Sequence, residues 1–390
     1  MKKTAAFLIV LAIGLGSAVT LDAMTAFARK YQMSCKTCHS PFPRLKPYGE
    51  EFAGNGFVLK DKEAPRYTAD TGDAELSLIR DLPIALRLEA FASFNSGNGK
   101  SLDMSTPYLI KLLSGGELFR NVSYYFYFFF SERGKIAGLE DAFIMFNDLV
   151  GDLDVAIGQF AVSDPLFKGE LRLTYESYKI YKARPGLSGI DLTYDRGIML
   201  TYGLKGGTDL ALVIVNGSGI GDSEANPGGR FDADQYKNFL GRVSQGLGEN
   251  FRVGAFGYVG KEEGRYGMVN SMWMAGADAT WTSPKLELNL QYVERRDRNP
   301  FFLAGAPELA TRGGFAELIF LPRGDDSPWY GAGLFNWVDS DQDDLDYTAA
   351  TLHGGWMLRR NFRLVAEATY AFTSEQGRYP RFGIGLVTAF

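Results

Sequence analysis

The sequence has only two cysteines and two histidines among its 390 residues, and it has no excess of basic side chains. Two cysteines cannot build a disulfide-dense scaffold. Lysine and arginine number 41 against 46 acidic residues, and the resulting net charge of −5 argues against a nucleic-acid-binding surface. Only one long apolar run is present and the mean hydropathy is −0.12, which excludes a membrane protein built from many helices.

Aromatic residues and glycine are abundant instead. Phe, Tyr and Trp make up 14% of the chain, and glycine contributes 46 residues. Because 22% of the residues are charged and many others are apolar, the composition is not that of a disordered chain. This length and composition favour a large β protein, either water-soluble or an outer-membrane β-barrel.

The first residues have the pattern of a secretory signal peptide. Two lysines form a positive start, and an apolar stretch over residues 5–15 is followed by small residues. The apolar stretch is shorter than a typical membrane-spanning helix. We therefore predict a signal peptide over residues 1–23, with cleavage after Ala18 or Ala23 as the two alternatives. Export brings the cysteines into an oxidising compartment.

Both cysteines lie in the sequence SCKTCHS, as Cys35 and Cys38, with His39 directly after them. Cys-x-x-Cys-His is the attachment motif of c-type haem. Two thiols one helical turn apart can bond the two vinyl groups on one porphyrin edge, and the next residue supplies the proximal nitrogen to the iron. A redox disulfide and half of a zinc site are the alternatives. Both are disfavoured, because there is no second Cys-x-x-Cys and the only other histidine is His353.

The segment that carries the motif, residues 24–62, is too short to enclose a haem in a core of its own. Prolines follow the motif closely, so a long helix after it is excluded. Pro47 and Gly54 bracket a short predicted helix over residues 47–53. The remaining walls of a haem site must therefore come from the rest of the chain.

Beyond a polar linker over residues 63–80, residues 81–390 alternate between apolar and polar side chains in segments about ten residues long. This period of two predicts strands, and the segment length suits a tilted strand that crosses a membrane. The predicted strands cover residues 83–94, 106–114, 121–131, 139–148, 152–161, 193–203, 208–216, 237–246, 250–260, 268–281, 285–295, 312–322, 328–338, 347–358, 361–372 and 381–390.

The predicted strands number sixteen, an even count that places both chain ends on the same side of a membrane. Tight turns alternate with longer connections, of which the longest covers residues 162–192. Short periplasmic turns and long outer loops are the outer-membrane pattern, so both termini are expected in the periplasm. We predict an all-β fold, a transmembrane antiparallel barrel of about 16 strands whose lumen is plugged by the short haem-binding segment. A water-soluble β-sandwich is the alternative.

The second axial ligand of the haem iron has several candidates in the sequence. His353 is the only other imidazole, and the alternation of its strand places it in the barrel lumen. Met24 and Met33 are near the motif in sequence, and an open or water-bound position is a further alternative. The axial ligands matter because they set the reduction potential.

The stretch FARKYQMSCKTCHSPFPRLKPYGEEFAGNGF resembles the N-terminal region of fused monohaem cytochrome–porins, the outer-membrane iron-oxidase type found in iron-oxidising bacteria. The barrel resembles that family only in pattern and length. The matching elements of the stretch are Phe27-Ala28-Arg29, Cys35, Cys38, His39, Pro43, Leu45, Pro47-Tyr48-Gly49, Phe52 and Gly56-Phe57.

This resemblance implies one covalent haem c in or beneath a porin barrel, and electron transfer across the outer membrane with extracellular Fe(II) as the usual donor. A single haem cannot connect both faces of a hydrocarbon core about 30 Å thick, so we expect a soluble periplasmic c-type cytochrome to collect the electron. Such a protein would be an Fe(II):cytochrome c oxidoreductase. The alternatives are outward electron transfer to an extracellular acceptor and a diffusion porin with a structural or sensory haem.

Overall fold

The computed structural model describes residues 26–59, 69, 71–73, 75–76, 78–80, 82–97, 100–132, 134–135, 138–264 and 266–390. The predicted signal peptide, Met24 and half of the predicted linker lie outside these residues. The N-terminal segment contains helix α1 (Ala26–Tyr31), a 3₁₀ turn (Cys35–Thr37) and helix α2 (Pro47–Gly54), and the last of these agrees with the helix predicted there. Among the described residues, no helix combines the length and the apolar character needed to cross a membrane.

The rest of the described chain is a closed antiparallel barrel of sixteen strands, and this confirms the predicted fold class. Each strand pairs with its neighbours in sequence, and the first strand pairs with the last, with Phe91 opposite Gly385. The strands are β1 (Ile84–Asn95), β2 (Ser101–Phe119), β3 (Val122–Glu132), β4 (Leu139–Phe146), β5 (Leu153–Ala161), β6 (Tyr194–Leu204), β7 (Thr208–Val215), β8 (Asn238–Leu247), β9 (Phe251–Glu263), β10 (Val269–Thr282), β11 (Leu286–Asp297), β12 (Leu309–Phe320), β13 (Trp329–Ser340), β14 (Tyr347–Arg359), β15 (Phe362–Thr373) and β16 (Tyr379–Ala389).

Side chains alternate between the two faces of each strand. On β14, Leu352 and Trp356 are exposed on the outer surface, whereas Thr351 and His353 are buried on the inner side. An apolar outer face next to a polar inner face is the arrangement of a membrane-spanning barrel. The closed sheet leaves no unpaired strand edge, so every backbone hydrogen-bonding group of the wall can be satisfied within the barrel.

The two ends of the barrel differ. The connections at one end, the turn end, are short, with 120–121 and 360–361 the tightest, and this end also contacts the N-terminal segment. The opposite end, the loop end, has the long connections 162–193 and 216–237. This asymmetry agrees with the alternation of short and long connections predicted from the sequence.

Residues 162–193, called the inward loop below, fold back into the barrel. The ring of Tyr178 stacks on that of Phe315 with centroids 3.9 Å apart, and the hydroxyl of Tyr181 donates to Gln291 at 2.9 Å. This connection starts and ends at the loop end, as predicted, but it packs inside the barrel, whereas the sequence predicted an external loop. Its apolar side chains, such as Ile180, need burial, and the inner wall supplies the surface for it.

Candidate functional site

The Cys-x-x-Cys-His motif forms a compact turn. The side chain of Ser34 accepts the amide of Lys36, and the carbonyl of Cys35 accepts the amides of Cys38 at 3.3 Å and of His39 at 2.9 Å. Neither cysteine is in a disulfide. Burial, together with the neighbouring Cys35, raises the pKa of the Cys38 thiol, so this group stays protonated at neutral pH. The structure therefore brings together the three residues predicted from the motif, with neither sulfur in a disulfide.

The ring of His39 is held in one tautomer. Its Nδ1 lies 2.9 Å from the carbonyl oxygen of Pro43 and 3.2 Å from that of Arg44. Because a carbonyl oxygen only accepts, Nδ1 must carry the proton, and the lone pair is on Nε2. Burial lowers the pKa of His39 to about 4, despite these two hydrogen bonds, so the ring is neutral at neutral pH. A neutral imidazole with Nδ1 bonded to backbone is the form that ligates metals through Nε2.

Helix α2 supports the turn from one side. The carbonyl of Cys38 accepts the amide of Lys46 at 2.8 Å, just before the helix begins with Pro47. A Cβ atom at Gly49 would overlap the carbonyl oxygen of Cys38. Only glycine permits this approach of the helix backbone to the motif.

Ion pairs and hydrogen bonds attach the segment to the inner wall at the turn end. Arg44 pairs with Glu287 on β11 and, at 3.5 Å, with Glu317 on β12. Lys46 pairs with Asp325 in the β12–β13 connection at 2.5 Å. Further hydrogen bonds to segment carbonyls run from Asn147 to Gly54 at 3.2 Å and from Arg363 to Phe42.

Aromatic stacking forms a second set of attachments. Phe57 stacks on Phe27 of α1 with ring centroids 4.8 Å apart, and on Tyr125 of β3 with centroids 4.7 Å apart. The preceding residue, Gly56, has a φ of +68°, and a Cβ there would overlap the hydroxyl of Ser123. The segment therefore reaches the wall on several sides, and its position is set by contacts with strands far away in sequence.

The motif borders a cavity of about 1110 Å³, called the first cavity below. This volume slightly exceeds the usual range for small-molecule and cofactor sites, which ends at about 1,000 Å³. Apolar side chains from the segment and the wall share its lining with Arg44, Arg87 and Lys111. The lining includes the three motif residues and the apolar or aromatic side chains that a haem pocket requires. These residues are Met33, Cys35, Cys38, His39, Phe42, Phe52, Tyr125, Phe143, Met145, Leu166, Phe167 and Met199.

His353 lies elsewhere. It lines a second cavity, of about 510 Å³, between the inward loop and strands on one side of the barrel. Its Nε2 is 3.2 Å from the hydroxyl of Tyr330, and its Nδ1 is 3.0 Å from a carboxylate oxygen of Glu367. Both ring nitrogens therefore have partners, and the structure does not bring His353 to His39. Met33, by contrast, borders the first cavity together with the motif.

Several residues at this site were not identified from the sequence. Arg44, Glu287 and Glu317 pair over long sequence separations, and no local pattern predicts such a pair. Arg363 lies on the inward face of β15, where its alternation with apolar neighbours places it, but nothing in the sequence links it to Phe42. Within the described part of the chain, no cluster of three or more His, Cys, Asp or Glu side chains is arranged to hold a metal ion.

Comparison with known proteins places the barrel among porins. No family model matches the sequence, and no curated protein is similar to it at a significant level. An anion-selective porin from Comamonas acidovorans is 10% identical with a TM-score of 0.60, and the match covers 80% of this chain and 99% of that one.

Two further solved structures give the same result. The outer-membrane channel DcaP of Acinetobacter baumannii is 12% identical with a TM-score of 0.56, and the match covers 80% of this chain and 97% of that one. OmpF of Salmonella typhi, solved in complex with daunomycin, is 10% identical with a TM-score of 0.57, covering 79% of this chain and 97% of that one. At these identities the likeness establishes the fold, which is the sixteen-stranded barrel of outer-membrane porins.

Proposed function

We propose that this chain is an outer-membrane electron-transfer protein that carries a single c-type haem, attached through Cys35 and Cys38 and ligated by His39. One observation carries the proposal. The Nδ1 proton of His39 is bound by the Pro43 carbonyl, so Nε2 is unprotonated, and the sulfurs of Cys35 and Cys38 belong to residues that border the same cavity. These donor groups fit a c-type haem, and they are too few for a zinc site of four ligands.

The residues around the motif have separate tasks in this proposal. The carbonyls of Pro43 and Arg44 orient the imidazole and hold its proton on Nδ1. Apolar side chains such as Phe52 and Phe143 keep water from the cofactor site. A bound haem supplies reversible one-electron chemistry, which no side chain of this site can supply.

The lumen favours electron transfer over free diffusion. The N-terminal segment contacts the wall near the turn end, and the inward loop packs across the interior from Tyr178 to Phe315. Both reduce the space through which a solute can pass. In this proposal extracellular Fe(II) is the donor, as the family resemblance implies, and a soluble periplasmic c-type cytochrome is the acceptor.

A diffusion porin with a structural or sensory haem is the second candidate. The observation that favours it is the likeness of the barrel to porins and channels over about 80% of this chain. The two candidates differ in solute flux, because a diffusion porin needs a continuous aqueous path and an electron-transfer protein does not.

An anaerobic redox spectrum tests the proposed function. The chain is produced in a host that attaches haem, solubilised in detergent, oxidised, and then mixed with Fe(II). We expect sharp reduced c-type bands, and we expect no covalent haem in a variant with both Cys35→Ala and Cys38→Ala. If dithionite reduces the haem and Fe(II) does not, Fe(II) is excluded as the donor at that pH. Covalent haem missing from the unaltered chain would overturn both candidates and leave a porin without haem.

A further inference from the structure

Two arginines of the barrel wall approach the motif through Phe42. The ring of Phe42 packs edge-on against that of His39, with centroids 4.9 Å apart and planes at 71°. The guanidinium carbon of Arg87, on β1, is 5.8 Å from the centroid of Phe42, and that of Arg363, on β15, is 5.9 Å from it. The wall therefore places two cations beside the residue that packs on the proximal histidine.

The two cations are compensated differently. Arg87 forms an ion pair with Glu89 on its own strand. Arg363 is only 5% exposed, and no described carboxylate forms an ion pair with it. Its terminal nitrogen donates to the carbonyl of Phe42, and its Nε has no hydrogen-bond partner among the described residues. Its guanidinium carbon lies 5.7 Å from the ring centroid of Tyr330.

A buried charge without a direct ion-pair partner is costly for the fold. An apolar side chain on the inward face of β15 would pack against Phe42 and Tyr330 without that cost. The chain instead keeps a guanidinium at this position, where the Glu89 carboxylate acts on it from beyond ion-pair distance and also pairs with Arg87. Two arginines and one carboxylate leave one net positive charge beside Phe42. Its contacts connect it to the N-terminal segment rather than to the lipid-facing surface, so its field acts on the haem motif.

We propose that Arg363 raises the reduction potential of the haem bound at Cys35, Cys38 and His39, and that Glu89 limits the contribution of Arg87. This inference rests on the proposed function. Reduction adds one electron to the iron, which passes from the ferric to the ferrous state, and the net charge of the cofactor falls by one. A fixed cation nearby stabilises the reduced form relative to the oxidised form. A higher potential suits an acceptor of electrons from a weak reductant such as Fe(II).

The proposal also gives a reason for joining this segment to a barrel. The segment supplies the thiols and the imidazole, but none of its own described cations packs on Phe42. The cations come from β1 and β15, which are separated from the motif by long stretches of chain. The barrel then acts as part of the electron-transfer site as well as its membrane anchor.

The test is a spectroelectrochemical titration of the full haem-loaded chain in detergent. Arg363→Gln removes the charge, and we expect the ratio of oxidised to reduced haem at a fixed potential to rise about tenfold, equal to a drop of about 59 mV for one electron. Arg363→Lys retains the charge and should keep most of the potential. Glu89→Gln leaves Arg87 uncompensated and should shift the potential upward.

Arg359→Gln is the matched control, because Arg359 ends β14 on the exposed side of the neighbouring turn. It removes the same charge at an exposed position, where solvent screens the charge, and should leave the potential unchanged. Two results would overturn the inference. In the first, Arg363→Gln has the same reduction potential as the control although its haem content is intact. In the second, Arg363→Gln and Glu89→Gln shift the potential in the same direction, which would mean that both residues act by docking the segment. Failure of the unaltered chain to bind haem is a separate result, and it overturns the proposed function itself.

Discussion

Gly49 is the point at which α2 packs against the Cys-x-x-Cys-His turn. A Cβ atom here would overlap the carbonyl oxygen of Cys38, whereas a Cβ at Gly54, in the last turn of the same helix, would meet no atom within 4 Å. The overlap involves backbone on both sides, so no flexible side chain can move to relieve it. The two glycines thus share a helix and differ only in what surrounds them.

The Gly49→Ala variant should lose covalent haem. Overpacking at a backbone contact costs about 1–3 kcal/mol, and the cost falls on the turn that presents both thiols. The measurement is the ratio of haem to protein, from in-gel haem staining and absorbance. Gly54→Ala is the control and should equal the unaltered chain. Equal haem content in the two variants would contradict the close approach of α2 to the motif.

The identities of Cys35, Cys38 and His39 were predictable because the motif is local in sequence. The tautomer of His39 was not, since it depends on where the chain turns back to bring the Pro43 carbonyl to Nδ1. The predicted role of His353 as a distal ligand gains no geometric support, because Tyr330 and Glu367 occupy both of its ring nitrogens. Alternation correctly placed His353 inside the barrel, but it does not report distance from the motif.

The inward loop is held in place by charged contacts with the wall. Glu170 pairs with Lys111 of β2, and Glu176 pairs with Arg381 of β16 at 2.6 Å. Burial alone would raise the pKa of Glu170, but the charges of Lys111 and Arg172 outweigh burial and lower the pKa to about 2. The ionised carboxylate is therefore favoured by the folded state.

Stability should depend on pH through Glu170. Its pKa is lower in the folded chain than its ordinary value of 4.5, so its contribution is complete above that value and is lost as pH falls to about 2. We expect Glu170→Gln to have a lower Tm than the unaltered chain above pH 4.5, and the difference to vanish near pH 2. Glu375→Gln, in an exposed connection, should show no such difference. A Tm difference that is constant down to pH 2 would refute the role of this ion pair.

Strands and loop differ in how well the sequence predicts them. A strand in a barrel wall has lipid on one side and lumen on the other. The alternation of apolar and polar side chains along its sequence therefore indicates which residues face each side. The inward loop has no such period, and its burial depends on a partner surface such as Phe315 on a distant strand. The aromatic and apolar residues within 171–181 were the available signal, since an external loop has no need of them.

The described chain forms one closed barrel, with the inward loop packed in its interior and the N-terminal segment in contact with its wall. The segment meets the wall through Arg44, which bonds a partner 243 residues away, and through the Phe42 carbonyl, which bonds a partner 321 residues away. Contacts of such long range can form only once the barrel has closed. The segment and the wall therefore depend on each other for the shape of the first cavity.

Conductance in planar bilayers measures how far these two elements block the lumen. We expect the unaltered chain to conduct weakly, and deletion of residues 26–59 to increase the single-channel conductance several-fold, because the first cavity then opens at the turn end. Lys36→Gln, which removes only an exposed contact with Asp326, is the control and should conduct like the unaltered chain. High conductance of the unaltered chain would favour the diffusion porin, and equal conductance after the deletion would exclude the segment as a plug.

Local patterns in the amino-acid sequence were sufficient for the sixteen strands, the short helix at Pro47 and the grouping of Cys35, Cys38 and His39. Each of these depends on spacing within a few residues, through the pleat of a strand or one turn of chain. Closure of the barrel decided the rest, namely the inward course of residues 162–193, the partners of His353 and the approach of Arg363 to Phe42. These features join residues that are far apart in sequence, and only a folded wall brings their side chains within contact distance.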